Sequence, residues 1–334
     1  MSGPAPHPAP RASRWHHRYA TLVAACTFLL IAAGGMVTST GSGLSVPDWP
    51  TTYGWNMFTF PLSKWVGGIR YEHSHRLIAS TVGFLTIVLA FWTWKAEPRA
   101  WVRTLGFSAL GAVILQGLLG GITVLLFLPP AVSIAHAGLA QIFFCLTITL
   151  ALVTSPGWTN AVQPVEDPIL RRIAALTTAL VYTQIILGAT MRHNEAGLAI
   201  PDFPLASGHL IPPVWTAKIA IHFAHRVGAM VVAALILATS SHVLYHHPRR
   251  RDLVRPALLL VALVFVQIAL GAFVIWSARN PLINTAHVVN GAAVLATSLV
   301  LTLRCFRAGF ERQVQPIRTP IVEDRTMGLS GVRP

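Results

Sequence analysis

Apolar runs that approach or pass the ~18 residues needed for a membrane-spanning helix recur along this chain, and nothing else in it restricts the fold as strongly. In lipid the backbone must satisfy its own hydrogen bonds, and an α-helix does so within one segment. The 334 residues are 54% hydrophobic and 11% charged, with a mean hydropathy of +0.60, which lies outside the norm for soluble domains. The reading is an all-α integral membrane protein. Eight spans are predicted, at about 17–38, 73–94, 103–127, 131–154, 169–190, 218–244, 255–277 and 283–304.

A net charge of +14 raises nucleic-acid binding, but the basic residues form no single patch. They fall between the apolar runs, where topology signals sit. Arg11, Arg14 and Arg18, then Lys95, Arg99 and Arg103, then Arg171 and Arg172, then 249-RRRDLVR-255 all belong to one side. The positive-inside rule makes that side cytoplasmic, together with both termini, so the chain is expected to be a multi-pass protein of the cell membrane. The long loops near 41–71 and 193–217 then face outward. Cys26, Cys145 and Cys305 lie in or at the end of spans with no CxxC spacing, which argues against a disulfide or a zinc-cysteine site. The Pro/Ala-rich residues 1–16 are expected to be disordered, and the first apolar run reads as a retained span.

Internal duplication organises the rest. The stretch 43-GLSVPDWP-50 matches 197-GLAIPDFP-204 at an offset of 154, and His75 matches His225 at 150. His136 matches His287, and 116-QGLLGG-121 matches 267-QIALGA-272, both at 151. Four matches at nearly one offset imply two copies of a four-span unit in the same orientation. The expected architecture is two pseudo-symmetric four-helix bundles, 17–154 and 169–305. A cytoplasmic linker, 155–168, joins them, and a cytoplasmic tail, 306–334, follows.

Of fourteen histidines, most have ordinary explanations. His7, His16, His17, His242, His246 and His247 fall in the cytoplasmic flanks, and His193 and His209 in the second outer loop. His75, His136, His225 and His287 remain, as two repeat-related pairs at matched depth near the outer ends of even-numbered spans. Two histidines on different helices of an apolar bundle suit axial ligation of a haem iron. For any single one an interhelical hydrogen bond would suffice, and the recurrence of the pair is what favours haem. Glycines such as those in 117-GLLGG-121 leave room for a macrocycle or allow close helix packing. Arg76 and Arg226 either pair with haem propionates or snorkel to the interface. His73 lies on nearly the opposite helix face from His75 and reads as interfacial.

The two halves differ at one telling place. Glu72 precedes His75 by one helical turn, whereas His222 occupies the matching position before His225. A partly desolvated carboxylate beside a haem edge can act as a base or stabilise positive charge, and the plainer reading is a pair with Arg76. Chemistry is therefore assigned to the first half and a fixed redox haem to the second. Glu72-x-x-His75 also fits half of a di-iron carboxylate motif, but the eleven acidic residues do not supply its partners.

With these residues in view, the chain resembles the haem A synthase family over about residues 17–305. The resemblance is carried by 34-GGMVTSTGSGLSVPDWP-50, Glu72-x-x-His75-Arg76, His136, 197-GLAIPDFP-204, His225-Arg226 and His287. It implies conversion of haem O to haem A for cytochrome c oxidase, by oxidation of the methyl at ring carbon 8 to a formyl group. It further implies a b-type haem cofactor on His225 and His287, the haem O substrate on His75 and His136, and an essential Glu72. Haem O synthase and oxidase assembly factors are the partners it suggests, with an unnamed electron acceptor, surrounding lipid, and a homo-oligomer left open. Unlike many bacterial members, this chain has no cysteine in loop 41–71, so no thiol chemistry is expected there; Asp48 and Trp49 are the better loop candidates, or else 47-PDWP-50 is simply a rigid turn. A dihaem cytochrome b that only passes electrons is the alternative, but it leaves Glu72 opposite His222 unexplained. A transporter with parallel repeats would place ionisable residues at mid-membrane, and here they lie toward the outer ends.

Overall fold

The structure, a computed structural model, describes residues 14–159 and 164–312. Among these residues the helices are α1 (Arg14–Ser39), α2 (Ile69–Ala96), α3 (Ala100–Leu125), α4 (Pro130–Val153), a short α5 (Pro156–Thr159), α6 (Pro168–His193), α7 (Ala217–His246), α8 (Arg251–Trp276) and α9 (Pro281–Arg312). All but α5 are long and apolar enough to cross a membrane. The eight expected spans are thus present, each within a few residues of its predicted limits. Helix α1 begins at Arg14, inside the stretch expected to be disordered, and α9 runs past the expected end of its span. Residues 1–13, with His7, and 313–334 lie outside the described residues.

Local sequence explains where the helices start. The Asp167 carboxylate accepts from Leu170 N at 2.8 Å, with Pro168 as the first helical residue of α6. Thr216 caps α7 by accepting from Ile219 N. Hydroxyls within the spans turn back on their own helices, as Thr27 does to Val23 O and Thr86 to Val82 O. Large apolar side chains such as Phe84, Met230, Phe265 and Leu282 point outward, as a lipid-facing surface requires.

Each half closes in the same cycle of neighbours. In the first, α1 packs on α2, α2 on α3, α3 on α4 and α4 back on α1; in the second, α6, α7, α8 and α9 do likewise. Helices α1 and α4 meet α9, and α4 also meets α6, so these four form the seam between the halves. Ile31, Phe144 and Ala292 are buried there, with the rings of Phe28 and Phe144 stacked at 5.7 Å. At the loop end of the seam, Ser39 Oγ accepts from Arg192 Nη2, Asn284 Nδ2 and Thr285 Oγ1 at 3.0–3.3 Å. Within the second half, Thr178 bonds Ser298 and Thr302, and Thr177 bonds Thr239.

Two assignments made from the sequence change. His16 is not an exposed flank residue: it is buried, with its Nε2 2.9 Å from Thr93 Oγ1. His73 is not interfacial either, being fully buried beneath the loop that joins α1 to α2. In both cases the face is covered by a neighbour distant in sequence.

The seam depends on Gly138 of α4, where a Cβ would stand 2.8 Å from Ile186 Cδ1 and 3.3 Å from Tyr182 Oη of α6. Gly138→Leu should destabilise the protein by about 1–3 kcal/mol through overpacking. Gly111→Ala, where an added Cβ meets open space, should be neutral or stabilising by up to about 1 kcal/mol. Thermal unfolding in detergent distinguishes the two.

Candidate functional site

The four singled-out histidines stand on α2, α4, α7 and α9, and each rests on a glycine of the helix before it. A Cβ at Gly34 would lie 3.1 Å from His75 Cε1, and one at Gly120 3.2 Å from His136 Cε1. In the second half the same contacts are 3.0 Å for Gly188 with His225 and 3.3 Å for Gly271 with His287. Without a side chain at these points, the imidazole lies directly on the neighbouring helix backbone. His75 lies within electrostatic range of His136, and His225 of His287.

Three of the seats carry a glutamine one turn before the glycine. Gln116 donates to His136 O at 3.0 Å and lies 3.3 Å from its Nε2; Gln267 does the same to His287 at 3.1 and 3.3 Å. Gln184 donates to His225 O at 2.7 Å and lies 3.0 Å from its Nδ1. The pattern Q-x-x-x-G is plain in 116-QGLLG-120, 184-QIILG-188 and 267-QIALG-271, yet only the first and last entered the sequence reading, and only as markers of duplication. In α1 the equivalent residue is Leu30. Gln267 is itself held, since Asn290 Nδ2 donates to its Oε1 at 2.7 Å. Gln116 Oε1 has no partner among the described residues, and Leu139 stands where Asn290 would be.

Above the histidines, the loop from α1 to α2 and the loop from α6 to α7 are each fastened by the arginine that follows His75 or His225. Arg76 Nη1 donates to Asp48 O at 2.7 Å and Thr51 O at 3.0 Å, and Nη2 to Val46 O at 2.8 Å. Arg226 repeats this on Asp202 O, Leu205 O and Ile200 O at 2.6–3.2 Å. The guanidinium groups named as candidates for propionates are therefore committed to loop carbonyls.

Glu72 completes the first clamp. Its Oε2 accepts from Val46 N at 2.8 Å and its Oε1 from Arg76 Nη2 at 2.6 Å, with the side chain almost wholly buried. His222 does the corresponding work in the second half, accepting from Ile200 N at 3.2 Å while its Nε2 lies 3.3 Å from Arg226 Nε. The shared task is to anchor the loop. What differs is the partner's chemistry: Arg76 has a carboxylate at 2.6 Å, whereas Arg226 has an imidazole there and no ion pair within 4 Å among the described residues.

The loops themselves are built alike. Each has a cis X-Pro bond, Trp49-Pro50 and Phe203-Pro204, and an aspartate that organises the turn behind it. Asp48 accepts from Tyr53 N, Gly54 N and Thr51 Oγ1, and Asp202 from Ser207 N and Gly208 N. Burial pushes the Asp48 carboxyl up, but the bonds from Gly54, Thr51 and Tyr53 outweigh it and hold the group below its ordinary value. Asp48 thus belongs to a rigid turn. Trp49 lies across α3 at Gly121, where a Cβ would come within 2.5 Å of the indole.

The first loop also covers a buried histidine that has no counterpart under the second. His73 Nδ1 lies 3.1 Å from Thr52 Oγ1, and its ring contacts Phe60 and Trp65 at centroid distances of 5.1 and 4.7 Å. The matching residue in α7 is Phe223, which keeps an edge contact, to Trp215 at 5.6 Å, but has no polar atom.

A haem iron is tested against these residues by the histidine nitrogens. Nδ1 of His75, His136 and His287 is buried without a partner among the described residues. Such a group costs roughly 1–3 kcal/mol if left unsatisfied, and a metal centre held between paired imidazoles is a chemistry that uses ring nitrogens in an apolar bundle. The donor set fits.

Arg76→Ala should release the carbonyls of Val46, Asp48 and Thr51. Loss of about 1.5 kcal/mol or more per charge-assisted bond should raise amide exchange in residues 46–55 by tenfold or more. Residues 200–209 should stay unchanged as an internal control, and Arg226→Ala should reverse the pattern. Because the folded Asp48 carboxyl lies below the ordinary value, its contribution is fully present above about pH 4. It should fade only as pH falls through the lowered value.

The family model described as "Cytochrome oxidase assembly protein" matches residues 17–299 of the chain. Relatives named "Heme A synthase" match over most of both lengths. The protein of Symbiobacterium thermophilum is 30% identical over 79% of this chain and 86% of its own. That of Geobacillus kaustophilus is 29% identical over 89% and 94%, and that of Halalkalibacterium halodurans 27% over 86% and 94%.

Proposed function

The chain belongs to the haem A synthase family of cytochrome oxidase assembly proteins, and from that premise we propose how its two halves divide the oxidation of haem O to haem A. The protein is a multi-pass membrane oxidoreductase. Family membership favours this over a cytochrome that only passes electrons.

His225 and His287 would hold the resident b-type haem in the second half. When bound, that group supplies a one-electron redox centre. His75 and His136 would hold the iron of the substrate, haem O, whose ring-carbon-8 methyl is oxidised to a formyl group in two hydroxylations and a loss of water. The two bundles then stand as pseudo-symmetric copies, with both termini cytoplasmic and the clamped loops outside. Electrons leave through the second half to an acceptor, and haem O synthase and oxidase assembly factors supply substrate and receive product.

The observation that carries this division is the exchange of Glu72 for His222 inside otherwise equivalent clamps. Both residues accept from a loop amide and meet the clamp arginine. Only Glu72 adds a negative charge, one helical turn from His75 and sealed from water. A fixed carboxylate there stabilises positive charge developing at the substrate edge, or takes a proton from it, and Arg76 holds it in place. The clamp also keeps Glu72 from turning outward, because leaving would abandon Val46 N.

The test separates charge from anchoring. Glu72→Gln and Glu72→His keep an acceptor for Val46 N and should leave loop protection near normal. Both should lower haem A formation by about 10²–10⁴-fold. Haem A is measured by chromatography of extracted haems after expression with a haem O synthase. If Glu72→His makes haem A at the wild-type rate, Glu72 is an anchor and nothing more. Separately, His225→Ala or His287→Ala should abolish the b-type absorbance of the purified protein, whereas His75→Ala or His136→Ala should preserve it.

A further inference from the structure

We propose that Asp167, His242 and His247 form a binding site for a divalent transition-metal ion of the zinc class, at the end of the second half remote from its haem ligands. His242 Nε2 lies 2.8 Å and His247 Nε2 2.9 Å from the same oxygen, Asp167 Oδ2. One donor atom from each of the three residues falls within 4.8 Å of the others. The side chains are 17–20% exposed, enough to admit an ion yet largely enclosed. From His225 to His242 is seventeen residues along α7, or about 25 Å at 1.5 Å per residue, so the cluster is separate from the haem site.

The donor chemistry suits that class of metal. Two imidazoles and one carboxylate are borderline donors that hold zinc-like ions, and three protein donors leave a fourth position for water or an outside ligand. The carboxylate is aimed before any ion arrives, because its other oxygen accepts from Leu170 N as the cap of α6. Burial opposes its ionisation, but the bonds from Leu170 N, His242 and His247 prevail and hold Asp167 well below the ordinary carboxylate range. His242 and His247 sit at the C-terminal end of α7, where the helix dipole favours a cation. Nearby guanidinium groups are engaged elsewhere, with Arg171 donating to Val165 O and Cys305 O, and Arg250 paired with Asp252.

This cluster is not inherited from the repeat. At the offset that relates His75 to His225, the counterparts of His242 and His247 are Trp92 and Glu97, and Glu97 pairs with Arg99 at 2.6 Å. An ion here would tie the segment entering α6 to the end of α7. Coordination requires each imidazole to offer the nitrogen that now faces the carboxylate as a lone pair, with its proton moved to the other nitrogen or to solvent.

The experiment uses the full chain, purified with its haems, treated with a chelator, desalted and titrated with zinc alone. Elemental mass spectrometry then reads retained metal against haem iron. One zinc per chain is expected in the wild type, and none in His247→Gln or Asp167→Asn. Asparagine still caps Leu170 N, and an unchanged b-type spectrum reports that both variants are folded. Failure of the wild type to retain zinc, or retention of the full equivalent by either variant, would overturn the site.

Discussion

The two long loops of this protein each hang on a guanidinium group donating to three backbone carbonyls of that loop. Carbonyls in an irregular segment at a membrane edge need partners, and Arg76 and Arg226 supply them for Val46, Asp48 and Thr51 and for Ile200, Asp202 and Leu205. Each arginine directly follows a histidine proposed to bind iron. Loop and ligand therefore share one turn of helix, and neither can shift without the other. The residue one turn earlier, Glu72 or His222, locks the loop amide as well. The chemistry assigned to the first half is a change of charge within an otherwise conserved mechanical part.

Much of this was legible in the sequence. Run length and the lack of charge inside the runs gave eight spans, because lipid admits little else. Duplication picked four histidines out of fourteen, since only those recur at one offset. The roles of Arg76 and Arg226 were not legible, because their partners are backbone carbonyls, which carry no residue signature. His73 and His16 were misplaced for a related reason. Hydropathy reports depth, but burial depends on which neighbour covers a face, here Phe60 and Trp65 for one and Thr93 for the other. The glycine seats and their glutamines could have been read from the repeated Q-x-x-x-G, which places both residues on one helix face.

The two halves also differ around the ligands in ways that run together. The second half has Gln184 beside His225 and Asn290 bracing Gln267, where the first has Leu30 and Leu139. Beneath its loop the first half has His73 against Trp65, where the second has Phe223 against Trp215. Polar bracing is thus more extensive around the proposed cofactor.

The bracing of Gln267 by Asn290 bears on residence time. A cofactor must stay bound through many turnovers, and a product must leave after one. The hydrogen bonds from Gln184 and Gln267 would resist side-chain movement of His225 and His287, and so would slow the escape of a group held there. Around His75 and His136, where Leu30 lines the seat and Gln116 keeps an unpaired oxygen, the proposed ligands would yield more readily. Two similar bundles would thereby serve as a slow-exchange pocket and a fast-exchange pocket.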